Sequence, residues 1–148
     1  MKSEDNKSAI VLVSLLVLFW VYRLIVLLNA PYDLYLDEAY YFNWAQNVDW
    51  GYYSKPPMLS WLIYLTTSLF GDGQVAIKIG SMILYPITTY VIYLIGLELF
   101  DKKVAFYSAL IFFTLPSVWM SSMIISTDVV LLLFWSLALL FFIKAIYH

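Results

Sequence analysis

Apolar residues in this chain come in long blocks, and polar residues are confined to short stretches between them. Ala9 to Leu28 is an apolar run of about 20 residues, the length a helix needs to cross the hydrocarbon core. Val75–Phe100, Val104–Met120 and Asp128–Tyr147 repeat that pattern, which predicts four crossings. Pro86 is expected to kink the second, and Pro116 falls near the end of the third. The first run is long for a signal-peptide core, and Asn29-Ala30-Pro31 is a poor cleavage site. It reads as a signal anchor that Pro31 stops.

Residues 29–74 break the pattern. Leu36–Val48 suits a short helix, with Asp37, Tyr41, Trp44 and Val48 on one face. Its aromatic content predicts a position along the membrane surface. Gly51 ends it, and Tyr52-Tyr53-Ser54-Lys55-Pro56-Pro57 reads as an extended turn. Met58–Phe70 is a second short helix, too short to span, closed by Gly71-Asp72-Gly73. The predicted fold class is therefore an all-α integral membrane protein: one domain over 1–148, about four transmembrane helices, and two short interfacial helices in the first outer loop.

Composition agrees with this pattern. The chain is 64% hydrophobic and 12% charged, about half the charge of an ordinary soluble domain. No basic tract suggests nucleic acid. Cysteine is absent, which removes disulfides and thiolate metal sites. With four crossings, Lys2, Lys7, Lys102, Lys103 and Lys144 share one side, while Lys55 and Lys78 lie on or near the other. By the positive-inside rule both termini are expected in the cytoplasm. Asp37, Glu38, Lys55 and Asp128 then share the outer face.

These few charges are the candidate chemistry, because ionisable groups near a membrane are costly to keep. Asp37 and Glu38 fit the first turn of a helix, where acids are favoured by about 0.3–1 kcal/mol each. They equally suit a general base and its support. Lys55, held between Tyr53 and two prolines, is a candidate phosphate ligand. Asp128 caps the fourth crossing or shapes a pocket, with Ser126 and Thr127 as competing caps. Arg23 either snorkels to the interface or faces the bundle to meet an acid or a phosphate. His148 is the single histidine, and its terminal position fits neither a ligand nor a base. There is no nucleophile triad, glycine-rich phosphate loop or metal-ligand cluster.

The run LDEAYYFNWAQNVDWGYYSKPPMLSWLIYLTTSLFG resembles the first outer loop of bacterial membrane glycosyltransferases of the protein O-mannosyltransferase type, relatives of the aminoarabinose transferases of lipid A. These are GT-C enzymes that use polyprenyl-phosphate-linked sugars. The likeness lies in Asp-Glu followed by aromatics, Tyr-Tyr-x-Lys-Pro-Pro, and an Asp opening the fourth crossing. It implies that Asp37 is the catalytic acid–base, Glu38 its supporting acid, Lys55 a phosphate contact and Asp128 a second outer-face acid. Ser54 stands where some relatives carry a glutamate of a metal site, which argues against a metal, and no cofactor is expected.

The resemblance also implies a polyprenyl-phosphate-linked sugar donor, a lipid or protein acceptor, inversion at the sugar, and a bacterial inner membrane location. Family members carry many more crossings, so the chain resembles their N-terminal portion. The competing reading is a non-catalytic membrane module that binds lipid phosphate or partner helices. A transporter fragment ranks lower, because it needs its acids near the bilayer midplane rather than in a loop.

Overall fold

A computed structural model describes residues 2–29 and 33–147, with side chains from Lys7 onward. The expected helix stop at Pro31 and the idle role expected of His148 fall outside the described residues. Seven helices are described: α1 (Lys2–Asn29), α2 (Leu36–Ala45), α3 (Met58–Phe70), α4 (Gln74–Leu99), α5 (Lys102–Thr114), α6 (Pro116–Ser122) and α7 (Thr127–Tyr147). Three of them, α1 from Lys7, α4 and α7, are long and apolar enough to cross a membrane, and α5 with α6 forms a fourth, bent candidate. The protein is an all-α multi-pass membrane protein.

Helix α4 is the centre of the bundle and packs on α1, α3, α5 and α7. One core cluster joins Leu12 and Leu16 of α1 to Tyr85 and Tyr93 of α4, Ala105, Ala109 and Phe113 of α5, and Val129 of α7. The α4–α5 approach is closest at Gly96. A Cβ there would stand 2.6 Å from the Ala105 Cα, so only glycine fits. With no water to satisfy polar groups at this depth, threonine hydroxyls turn inward. Thr88 and Thr89 each donate to a carbonyl one turn back, at 2.9 and 2.8 Å.

Two boundaries differ from the sequence pattern. Helix α2 ends at Ala45 rather than Val48. The Tyr52 hydroxyl lies 3.0 Å from the Trp44 carbonyl and 3.1 Å from that of Asn47, and the two rings stack at 5.1 Å, which turns the chain early. The third crossing is not one helix: α5 and α6 meet at a bend of 59°. Pro116 has no N–H and pushes Leu115 into extended geometry, ψ 134°, which ends α5 and leaves Pro116 as the first residue of α6. Pro86 lies inside α4, which continues through it. Asp101 closes the turn before α5 by accepting the Val104 N–H at 2.9 Å.

A second cluster builds the end of the bundle that carries α2 and α3. Tyr41 and Ala45 of α2 pack with Leu59 and Ile63 of α3, Ile77 of α4, and Ile125 in the link between α6 and α7. It seats the two short helices on the bundle without either spanning it. Around them the segment between α1 and α4 leaves Leu36, Tyr40, Trp50 and Tyr53 more than half exposed. Such aromatic residues suit the membrane–water boundary.

Candidate functional site

The site is built from the first turn of α2, the loop before α3 and the start of α7. Tyr35 opens α2, so Asp37 and Glu38 fall in its first turn, where the helix dipole favours acids. Successive helical side chains point about 100° apart, and these two carboxylates have different fates. Asp37 is exposed. Glu38 is completely buried.

Every oxygen of Glu38 is engaged. Oε2 accepts the Tyr35 N–H at 2.9 Å and lies 3.2 Å from the Lys78 ammonium. Oε1 accepts the Ile125 N–H at 2.9 Å. Lys78, on α4, is 2% exposed and also sits 5.6 Å from the centre of the Tyr35 ring. One carboxylate thus ties α2 to α4 and to the link that leads into α7.

Asp128 stands exposed in the first turn of α7. Among the described residues, neither Asp37 nor Asp128 has a hydrogen-bond or ion-pair partner. Between them lies Tyr41, on α2 one turn after Asp37 and 6% exposed. Burial pushes the Tyr41 phenol above the usual tyrosine range, and the nearby charges of Asp37 and Asp128 add to the rise. Both acids therefore act on one phenol that stays protonated at neutral pH.

Lys55 approaches from the loop before α3. That loop is fixed by aromatic contacts: Trp61 Nε1 donates to the Asp49 carbonyl at 2.9 Å, and Trp50 meets Trp61 edge to face at 5.3 Å. The Tyr52 N–H bonds the Lys55 carbonyl at 3.4 Å. Lys55 itself is exposed at the rim of a groove of about 560 Å³. Pro56, Met58 and Leu59 form one wall; Thr127, Val130, Leu131 and Phe134 of α7 form the other. The groove is apolar apart from this rim, and Thr127 precedes Asp128.

Arg23 lies elsewhere. It faces the bundle, 3% exposed, with its guanidinium 4.0 Å from the centre of the Phe113 ring and Nη2 donating to the Phe113 carbonyl. That carbonyl belongs to the last turn of α5, where carbonyls lose their helical partners. Arg23 caps the end of α5 at the bend of the broken crossing, and its Nε and Nη1 have no partner among the described residues. Tyr85, on α4, lies within electrostatic reach of both Arg23 and Asp128.

The structure thus places Asp37 and Asp128 around Tyr41, sets Lys55 on the groove that Thr127 lines, buries Glu38 beside Asp37, and turns Arg23 into the bundle. Sequence reasoning gave no site role to Lys78, counted only for its charge, or to Tyr41, noted only as a member of the Asp37 face. Lys78 carried a usable signal, since a lysine inside an apolar span implies an acidic partner. Tyr41, one of 13 tyrosines, carried only its place one turn after Asp37 on the same helix face. No group of three or more His, Asp or Glu residues able to hold a metal ion occurs among the described residues.

Comparisons with known proteins agree with the membrane architecture. Residues 54–148 match the family model described as dolichyl-phosphate-mannose-protein mannosyltransferase. The chain is also similar to the lipid A galacturonosyltransferase RgtD of Rhizobium johnstonii, 35% identical over 123 residues, 82% of this chain. It spans 26% of that relative's length. No solved structure matches. With the family model covering more than half of the residues and the outer-loop motif preceding it, the chain belongs to the dolichyl-phosphate-mannose-protein mannosyltransferase family of GT-C membrane glycosyltransferases.

Proposed function

We propose that this chain carries the catalytic face of a glycosyltransferase that moves a sugar from a polyprenyl-phosphate carrier to an acceptor at the outer face of a bacterial inner membrane. Both termini lie in the cytoplasm on this reading, which rests on the lysine distribution. The observation that supports the reading is a cation on an apolar groove whose far wall begins at Thr127, next to Asp128, with Asp37 acting on the same Tyr41 phenol as Asp128. A lipid-linked sugar phosphate has the matching parts: an apolar chain for the groove, an anion for Lys55, and a sugar within reach of the acids.

The chemistry needs no nucleophilic side chain. Asp37 takes the proton of the acceptor hydroxyl as its oxygen attacks the anomeric carbon. The bond from that carbon to the carrier phosphate breaks, and its electron pair leaves with the phosphate. Lys55 offsets the charge that builds there. One displacement inverts the anomeric centre. Asp128 holds the acceptor or sugar hydroxyls opposite Asp37. RgtD, named for lipid A, supports a lipid acceptor; the family description, which names a protein acceptor, supports the other class.

The test is Lys55→Met in the membrane-embedded protein, assayed with a polyprenyl-phosphate sugar. The expected result is weaker donor binding and slower transfer, with binding unchanged for the same lipid lacking its phosphate. Donor binding that is indifferent to Lys55 removes the phosphate assignment. Phosphate-dependent binding without any transfer by the unsubstituted protein supports the second reading, a lipid-phosphate binding module, which the groove favours equally.

A further inference from the structure

We infer that Lys78 is a positioning residue: through Glu38 it sets the spacing of Asp37 and Asp128. The kinetic part of this inference rests on the reading of Asp37 as the base; the geometric part does not.

Helix α2 packs mainly on α3. Its attachment to the rest of the bundle runs through side chains. Tyr41 and Ala45 contribute apolar contacts, which resist separation but tolerate sliding and rotation. The directional contacts come from Glu38. Its carboxylate is bound on one side by Lys78 and Tyr35 and on the other by the Ile125 N–H. Asp37 is the neighbour of Glu38, and Asp128 stands three residues beyond Ile125. Both exposed acids are therefore mounted directly on the two ends of one buried clamp.

Lys78 completes it. Without a cation on Oε2, a buried carboxylate would be an uncompensated charge, and the site would relax toward water. A second tie holds the same register on the α4 side, where the Ser81 hydroxyl lies 2.9 Å from the Ser122 carbonyl. Buried ion pairs give little net stability against well-packed apolar side chains of the same volume. What an apolar pair cannot do is fix a rotation of α2 relative to α7. That rotation decides whether Asp37 faces Asp128.

The protein has no cysteine, so spin labels go only where cysteine is introduced. Tyr40 on α2 and Leu131 on α7 are both more than half exposed and serve as label sites. Val17 on α1 and Ile87 on α4, also exposed, form a control pair away from the clamp. In the reconstituted protein both pairs are expected to give narrow distance distributions. Lys78→Met should broaden the α2–α7 distribution and leave the α1–α4 one narrow. Lys78→Arg should restore it, and Glu38→Gln with Lys78→Met should remain broad although the buried charges are gone.

Transfer should follow the same order, with kcat reduced by about 10²-fold in Lys78→Met, as expected for a small misplacement of reacting groups, and KM within about twofold. An unchanged α2–α7 distance in Lys78→Met overturns the inference. Equal broadening of both pairs also overturns it, since the lysine would then serve general stability. If the unsubstituted protein transfers no sugar, the reading of Asp37 fails, while the distances still decide the clamp.

Discussion

Removing one side of the Glu38–Lys78 pair should not cost the same as removing the other. Glu38→Ala leaves the Lys78 ammonium, 2% exposed, without its counter-charge. Breaking a buried pair in this way costs about 3–5 kcal/mol. It also strips acceptors from the Tyr35 and Ile125 N–H groups, at about 1–3 kcal/mol each when they stay buried. Lys78→Met fills the volume of the lysine and leaves both N–H bonds on Glu38, so only the charge penalty remains. The double change Glu38→Gln with Lys78→Met removes both charges and keeps one amide oxygen as an acceptor. It should cost less than either single change, with a coupling of about 0.5–3 kcal/mol.

The assay is thermal unfolding of the reconstituted protein followed by tryptophan fluorescence, which six tryptophans supply. For a chain of this size, about 1 kcal/mol moves the midpoint by about 2–4 °C. Glu38→Ala should therefore lower the midpoint by about 10 °C or more, Lys78→Met by less, and the double variant least. A Glu38→Ala midpoint within about 2 °C of the parent, or penalties in the double variant that simply add, would refute the buried-clamp reasoning.

Three further outcomes are expected. Gly96→Ala should lower the unfolding midpoint, because overpacking against the Ala105 backbone, about 1–3 kcal/mol, outweighs a helix-propensity gain of about 1 kcal/mol; Gly80→Ala should be near neutral, because its close neighbour is the movable tip of Leu62. Tyr41, labelled at its ring carbon for NMR, should titrate above the ordinary tyrosine range; its contribution to stability is complete below that range and is lost as pH rises through the raised folded value. Asp37→Asn should bring that titration down part of the way and leave the shares due to burial and Asp128. Single cysteines at Asn47 and Lys102 should react with an impermeant reagent from opposite sides of the membrane, Asn47 from outside; outside labelling at Lys102 would reverse the orientation.

Much of the fold was legible because it rests on length and apolarity. The runs 9–28, 75–100 and 128–147 lie within α1 and, to within a residue, along α4 and α7, and Met58–Phe70 coincides with α3. The bend between α5 and α6 was not legible from hydropathy, which continues through it; Pro116 marked the place, and the geometry at Leu115 decided the outcome. At the site, the pattern of charges identified Asp37, Lys55 and Asp128 as exposed residues, since each stands where an apolar block ends. It could not separate Asp37 from Glu38. Adjacent acids differ only in which way the helix turns them, and that is set by packing of Tyr41 and Ala45 against distant Ile77 and Ile125. Arg23 illustrates the same limit: its carbonyl partner on Phe113 is 90 residues away and exists only because α5 ends there.

The most direct measurement of the central claim is transfer by Asp37→Asn. Asparagine keeps the size of the side chain and, at an exposed first-turn position, leaves the Glu38 clamp intact. The substitution is made in the membrane-embedded protein and assayed with a polyprenyl-phosphate sugar, alongside donor binding and the unfolding midpoint. If Asp37 is the base, transfer falls by about 10²–10⁴-fold while donor binding and the midpoint stay at parental values. Parental turnover by the Asn variant would contradict the assignment and leave Asp37 as an acid that merely suits the start of a helix.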